Sequence, residues 1–268
     1  MSWGHLIVAT AGIATMKAAI ERGDFDEASR QGALAGAALV EQALASPDRP
    51  TQLGGIAAAP MVDGRPELLD ALARIAGGPD RRTAIPAALA ARTIARELAH
   101  KELDDALALE DLAGWRMTFA ALAANRERWI DLRVLALDTA SALATDGSGL
   151  PLETALGDPD PALRRAAILD LAVPVPAGLR DRLAKAIVSD VDPAVALSAG
   201  QVLCADLVAD PAAPVLTALG EPGLARLRTA VAAEDAPVVA LREIARCLGA
   251  DKAPASSAAL RVIRNRVR

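Results

Sequence analysis

Few residues in this 268-residue chain have the types and spacing that catalysis or metal binding needs. The two histidines, His5 and His100, belong to no His-x-x-x-His or Glu-x-x-His pattern, and metal sites of the usual kinds need such clustered ligands. Adjacent carboxylates such as Asp104 and Asp105 are typical of a solvated face. No glycine-rich phosphate loop and no strand pattern for a dinucleotide fold occur. The sequence therefore predicts no catalytic residue, no cofactor and no metal site, and we interpret the protein as a non-enzyme.

The aromatic residues are the next candidates for function, through contact with a partner. Trp is enriched in binding hot spots, and Trp115 and Trp129 lie within an acidic, irregular-looking segment at 100–130. Large aromatic side chains also fill junctions between helices, so both interpretations stay open. We expect segment 100–130 to interrupt regular packing and to form a specialised contact.

Composition indicates how the remaining residues must pack. The chain has no Tyr and only two Phe, so its core must consist of Ala, Leu, Val and Ile. Small side chains let helix backbones approach closely, which favours many helix–helix contacts over one large globular core. The abundance of Ala also favours a bacterial source with a GC-rich genome.

Charge argues mildly against a nucleic-acid partner, because the net charge is −5 and the pI about 5.2. A basic exception is the C-terminal tail, which carries Arg261, Arg264, Arg266 and Arg268. We interpret this tail as a solvated helix end whose cations complement the helix dipole. Contact with phosphate or with an acidic partner is the alternative.

Helical periodicity recurs along the chain between turns rich in Asp, Pro and Gly. Apolar residues at spacings of three and four mark amphipathic helices, and the pattern predicts about 12 of them, all-α, without strands. Two predicted elements are long helices over 26–45 and 193–208. Another helix is predicted to begin only at 221, after the turn at 210–214.

Turn-plus-helix starts repeat at Asp48, Asp80, Asp131, Asp160, Asp192 and Asp235. Three separations are 32, 29 and 32 residues, with longer steps of 51 and 43, and a period near 30–40 with two helices per unit indicates an α-solenoid. The stretch Asp158-Pro-Asp-Pro-Ala-Leu-Arg-Arg-Ala-Ala resembles the turn and second helix of HEAT repeats, relatives of armadillo repeats. The resemblance implies one right-handed α-solenoid domain over 1–268, made of stacked antiparallel helix pairs.

A HEAT-like solenoid implies a non-enzymatic scaffold that binds a protein or peptide on a concave surface lined by its second helices. The candidate contact residues are Trp115, Trp129, Arg164 and Arg165; for Arg164 and Arg165, internal links to turn carboxylates are the alternative. Nucleic-acid binding by a HEAT-like protein is the alternative function that stays open. A third possibility is an auxiliary enzyme subunit similar to the HEAT-repeat lyases, but the sequence contains no site that supports it. Nucleic acid would be bound by the C-terminal tail and the Arg-bearing helix starts, Arg81, Arg82, Arg133, Arg164 and Arg165.

The two cysteines occupy equivalent places in successive repeats. Cys204 and Cys247 each follow a helix-start Asp by 12 residues, so they would face each other across stacked helices. A disulfide is one interpretation. Two small buried thiols at Ala-like positions are the other, and we favour them because helix axes about 8–10 Å apart are wide for a disulfide.

Cellular location is only weakly indicated. No apolar run reaches the ~18 residues of a membrane span. The apolar stretch 6–14 has no Lys or Arg before it, unlike a signal peptide. We therefore favour the cytoplasm, and the periplasm stays open if an export signal has been removed.

Overall fold

Every regular element in the part of the chain that the structure describes is helical. A computed structural model describes residues 3–62, 65–100, 109–144, 150–209, 214–251 and 253–267. These residues form fifteen α-helices and two short 3₁₀ segments, and they include no strand. The predicted all-α class is confirmed. The predicted count of about 12 helices is too low.

The chain divides into two compact units, Met1–Pro151 and Leu152–Arg268. The interpretation of residues 1–268 as one domain stays a prediction. The helices of the first unit are α1 (Trp3–Glu21), α2 (Phe25–Ala35), α3 (Ala37–Leu44), α4 (Arg49–Ala58), α5 (Leu69–Ala76), α6 (Arg81–His100), α7 (Leu109–Ala124) and α8 (Ile130–Ala142), with 3₁₀ segments at Ala59–Met61 and Arg65–Leu68. The helices that follow are α9 (Leu150–Ala155), α10 (Pro161–Leu169), α11 (Ala177–Ser189), α12 (Pro193–Ala209), α13 (Val215–Ala230), α14 (Val238–Ala250) and α15 (Pro254–Val267).

Glycine geometry and one unexpected helix account for much of the difference in helix number. Gly36 adopts φ +84°, a left-handed conformation that ends α2 and splits the predicted helix 26–45 in two. Gly220, at φ +56°, kinks α13. Within segment 100–130, where we expected irregular structure, residues 109–124 form the helix α7. Residues 101–108 lie outside the described residues.

In the first unit the helices form two rows. The pairs α1–α2, α3–α4, α5–α6 and α7–α8 each pack together. The first helices α3, α5 and α7 contact one another in succession, and the second helices α2, α4, α6 and α8 do the same. A second helix in the middle of the row, such as α6, therefore has a neighbour on each side and a first helix behind it.

The second unit repeats this arrangement. The second helices α10, α12 and α14 contact one another in order, and so do α11, α13 and α15. The two rows are joined through the contacts α11–α12, α13–α14 and α14–α15. Helix α12 is the most enclosed, with neighbours in its own row and in the other.

Small side chains make this close packing possible. At Gly55 of α4, an added Cβ would lie 2.9 Å from the backbone nitrogen of Leu44 and 3.0 Å from the Cβ of Ala43. The α3 and α4 backbones are thus nearly in contact. Along α6 the inward face is almost entirely alanine; the fully buried ones are Ala84, Ala87, Ala88, Ala91 and Ala95.

Candidate binding surfaces

Ion pairs link neighbouring helices of the first unit at the starts of α4, α6 and α8. Lys17 Nζ on α1 lies 3.2 Å from Asp48, and Arg49, the first residue of α4, lies 3.6 Å from Asp80. Arg81, the first residue of α6, pairs with Asp131 at 2.7 Å. Each exposed pair contributes about 0–1 kcal/mol. The pairs therefore add little to stability.

Helix capping and these cations lower the pKa of two of the carboxylates. The pKa of Asp48 is lowered chiefly by the hydrogen bond from the Thr51 hydroxyl, which acts with the Thr51 amide and Lys17 against the opposing effect of burial. For Asp131, burial acts to raise the pKa, but the hydrogen bond from Arg81 and a bond from the Leu132 amide outweigh it. Both carboxylates are consequently held ionised as links between helices.

Arg164, a predicted partner contact, is committed to an internal link in the second unit. Its Nε and Nη2 donate to the two carboxylate oxygens of Asp190 at 2.8 and 2.7 Å. Its Nη1 donates to the carbonyls of Asp158 and Pro159, both at 2.9 Å. The side chain is only 14% exposed, so a partner could not reach its donors without breaking these bonds. The internal link is the alternative that the sequence left open, and a role for Arg164 in partner contact stays a prediction.

Arg165, the other predicted arginine, lies on the exposed side of α10. Among the described residues no hydrogen-bond or ion-pair partner holds it. Its role as a partner contact stays a prediction. The adjacent pair Arg164–Arg165 thus supplies one structural residue and one surface residue.

The two tryptophans predicted as contacts, Trp115 and Trp129, lie in different environments. Trp115 is 8% exposed, and its indole Nε1 donates to Asp70 at 2.8 Å. It therefore fills the α5–α7 junction, as the alternative interpretation proposed, and its role as a partner contact stays a prediction. Trp129 is partly exposed at the residue before α8, and its role as a contact stays a prediction.

Cys204 of α12 and Cys247 of α14 are joined by a disulfide, with their Cα atoms 5.4 Å apart. Of the two interpretations of this pair, the structure therefore differs from the one that we favoured, buried thiols. The distance between two helix axes exceeds the distance between facing Cα atoms, because each Cα atom lies about 2.3 Å from its own axis. Facing Cα atoms of helices with axes about 8–10 Å apart are therefore about 3–5 Å from each other, and the upper end of this range meets the Cα spacing of a disulfide.

A second internal link, at Asp206, was missed by the sequence interpretation. This residue of α12 is fully buried and accepts from Arg180 Nε at 2.6 Å and from the Val175 amide at 2.8 Å. It joins α12 to α11 and to the segment between α10 and α11. An available signal was the single acidic residue within the otherwise apolar stretch of α12.

The outward stripe of α6 is the clearest surface on the row of second helices in the first unit. Leu89, Arg92 and Arg96 follow one another at helical spacing on this stripe, and Leu89 is 49% exposed. Arg96 binds both carboxylate oxygens of Asp138 on α8 at 2.8 Å, and Arg92 lies 2.9 Å from the same carboxylate. We call these four residues the α6–α8 face.

A groove between α14 and α15 is the most cationic surface that the structure shows in the second unit. It has a volume of about 510 Å³. Arg242, Arg261 and Arg264 line it, and each is exposed. Among the described residues, no carboxylate pairs with any of the three. The apolar side chains that line the groove include Leu260, Ile263 and Val267.

The sequence interpretation noticed only part of this groove. Arg261 and Arg264 were assigned to a solvated tail, and Arg242 of α14 was not connected with them. Arg266 does complement a helix end, but that of α13: it donates to the carbonyls of Val231 and Glu234 at 3.0 and 2.7 Å. Arg268 lies outside the described residues.

Several arginines proposed for nucleic-acid contact are engaged within the protein. Arg81 binds Asp131, Arg133 is buried and donates to the Ala123 carbonyl at 2.8 Å, and Arg164 binds Asp190. Arg82 and Arg165 remain on the surface. The helix starts therefore offer fewer cations than the sequence suggested.

Comparisons with known proteins identify no relative. The chain matches no protein-family model, and no curated protein matches it. The resemblance to HEAT repeats accordingly stays a prediction. Across the described ranges, no helix has both the length and the apolar character needed to cross a membrane, and no three His, Cys, Asp or Glu side chains come together as a metal-binding group.

Proposed function

We propose that this protein is a non-enzymatic, HEAT-like repeat scaffold that binds a protein or peptide partner on its second helices. The observation that carries the proposal is the α6–α8 face. There a half-exposed Leu89 lies beside two arginines on a helix that is enclosed by α4, α5 and α8.

The energetics of this face favour partner binding. Asp138 holds both guanidinium groups in place, so less side-chain freedom is lost when a partner binds. Arginine is also enriched among the residues that dominate binding at protein interfaces, and this face carries Arg92 and Arg96.

The disulfide bears on where such a scaffold works. Disulfides persist mainly in oxidising compartments such as the bacterial periplasm. We therefore propose an oxidising compartment, in place of the cytoplasm that the sequence favoured.

The test compares an apolar-to-charged change on a second helix with the same change on a first helix. Leu89→Arg alters the α6–α8 face, and Met117→Arg alters α7, where Met117 is 70% exposed. Each variant and the unaltered protein would be cross-linked in extracts of the native organism, and the captured proteins would be quantified by mass spectrometry.

The proposal predicts at least one specifically captured protein whose yield falls about tenfold or more with Leu89→Arg, equivalent to about 1.4 kcal/mol. Its yield should be unchanged with Met117→Arg. Equal loss with both variants, or loss with Met117→Arg alone, would place the contact elsewhere and contradict the proposal. Circular dichroism spectra of both variants would establish that they are folded.

A further inference from the structure

We propose that the groove between α14 and α15 binds an acidic, amphipathic peptide segment, with its carboxylates on Arg242, Arg261 and Arg264. This inference rests on the proposed scaffold function and specifies a binding surface and the chemistry of its partner. The argument starts from the pairing of arginines in the second unit.

Most neighbouring arginines have internal partners. Arg228 pairs with Glu221 and Asp251, Arg246 pairs with Glu243, and Arg266 binds the carbonyls that follow α13. The three groove arginines have no such partner among the described residues, yet they line one groove. This surface therefore carries three positive charges that no carboxylate of the described residues compensates.

The three charges are close enough to act together. A groove of about 510 Å³ has a linear dimension of about 8 Å, its cube root, which is comparable with the Debye length at physiological ionic strength. An anion in the groove therefore lies within about one Debye length of the guanidinium groups that line it, where their attraction is only partly screened. The same proximity makes the groups repel one another when the groove is empty, so an anionic occupant relieves an unfavourable interaction.

The shape and lining of the groove favour a peptide. Its volume is that of a small ligand pocket, which admits a few side chains. Leu260, Ile263 and Val267 offer an apolar contact that a chain of phosphates would not use. Guanidinium groups bind carboxylates through paired hydrogen bonds. A segment with apolar residues on one side and Glu or Asp beside them satisfies both features.

A nucleic acid fits this surface less well. Single-stranded nucleic acids are bound largely by stacking on aromatic side chains, and residues 152–268 contain no Phe, Tyr or Trp. The net charge of −5 also disfavours long-range attraction of a polyanion. The observations therefore favour the acidic peptide, and nucleic-acid binding becomes an outcome of the test.

The test measures fluorescence anisotropy of the full chain with three probes. They are a fluorescein-labelled peptide of Glu-Glu-Leu repeats, its Gln-Gln-Leu counterpart and a single-stranded oligo-dT of the same net charge as the acidic peptide. The variants are Arg261→Gln combined with Arg264→Gln, and Arg182→Gln as the control. Arg182 is an exposed arginine of α11 in the same unit and lies outside the groove.

We expect the acidic peptide to bind in a salt-sensitive manner and the Gln counterpart to bind at least tenfold more weakly. The double groove variant should lose about tenfold or more in affinity for the acidic peptide, and Arg182→Gln should leave the affinity unchanged. Absence of peptide binding, equal binding by the groove variant, or tighter binding of oligo-dT than of the peptide would each overturn the proposal. These results are separate from those for Leu89→Arg, because the groove can fail while the α6–α8 face still captures its partner.

Discussion

Removing the charge of Asp206 is the most informative perturbation of the second unit. The carboxylate is fully buried and joins Arg180 to the Val175 amide. Asp206→Asn keeps an oxygen that can accept from the amide but removes the charge that faces Arg180. Asp206→Ala removes both interactions, and the two variants together separate the ion pair from the backbone hydrogen bond.

The expected magnitudes follow from burial. Breaking a buried ion pair by removing one partner costs about 3–5 kcal/mol. Because the Arg180 side chain is 13% exposed, we expect Asp206→Asn to lie near the lower value, about 3 kcal/mol. The Val175 residue is 1% exposed, so its orphaned amide should add about 1–2 kcal/mol in Asp206→Ala. Either loss is a large part of a typical stability of about 5–15 kcal/mol.

Urea unfolding followed by far-UV circular dichroism measures these losses from the shift in midpoint at unchanged slope. Asp181→Asn is the matched control, because Asp181 is exposed on α11 and has no partner among the described residues. All three Trp lie in Met1–Pro151. Any part of the transition that is absent from Trp fluorescence therefore belongs to the second unit.

Hydrogen exchange of the Val175 amide supplies a second readout. It should stay protected in Asp206→Asn and exchange faster in Asp206→Ala. A loss below about 1 kcal/mol for Asp206→Asn, or equal losses for Asp206→Asn and Asp181→Asn, would refute the reasoning from burial.

Three further predictions concern packing, pH and redox state. Gly55→Ala should destabilise the first unit by about 1–3 kcal/mol, because the added Cβ would meet the α3 backbone. Gly114→Ala on α7 has nothing within 4 Å of the added Cβ and should stabilise the unit by about 0.5–1 kcal/mol. Thermal unfolding of the two variants measures both changes. Burial acts to raise the pKa of Asp190, but the hydrogen bonds from Arg164 and the Asp192 amide hold the pKa below its ordinary value. The stability from Asp190 is therefore complete above its unfolded pKa of about 3.9 and is lost as pH falls through the lower folded pKa. Acid titration should show Arg164→Gln losing helicity at higher pH than Arg165→Gln, and identical profiles would contradict the link. Reducing the disulfide, whose cysteines are 43 residues apart, should lower the free energy of unfolding by about 4 kcal/mol on the chain-entropy estimate. A thiol titration of the denatured, non-reduced protein should find no reactive thiol, and two reactive thiols per chain would exclude the bond.

Local periodicity was sufficient to predict the all-α class and several helix starts. Asp48 and Asp160 cap α4 and α10 as the Asp–Pro turns indicated, because capping depends on residues within one turn. The break at Gly36 was not predicted, since an isolated Gly within a helical pattern is tolerated in many helices.

The environment of individual side chains depended on packing that the sequence does not contain. Nothing near Trp115 in the sequence indicates Asp70, its hydrogen-bond partner, 45 residues earlier. Arg242 and Arg261 meet only because α14 and α15 pack together. Arg164 and Arg165 are identical in type and adjacent, yet helix geometry turns one toward Asp190 and the other to solvent.

Partner binding on the second helices is best tested by hydrogen–deuterium exchange of the protein with its captured partner, because this measurement maps the bound surface without a mutation. We expect slower amide exchange in α6 around Leu89–Arg96 and in the facing part of α8 when the partner is bound. The first helices α5 and α7 should be unchanged. Slower exchange confined to α7 around Met117, with α6 unaffected, would contradict the assignment of partner binding to the second helices.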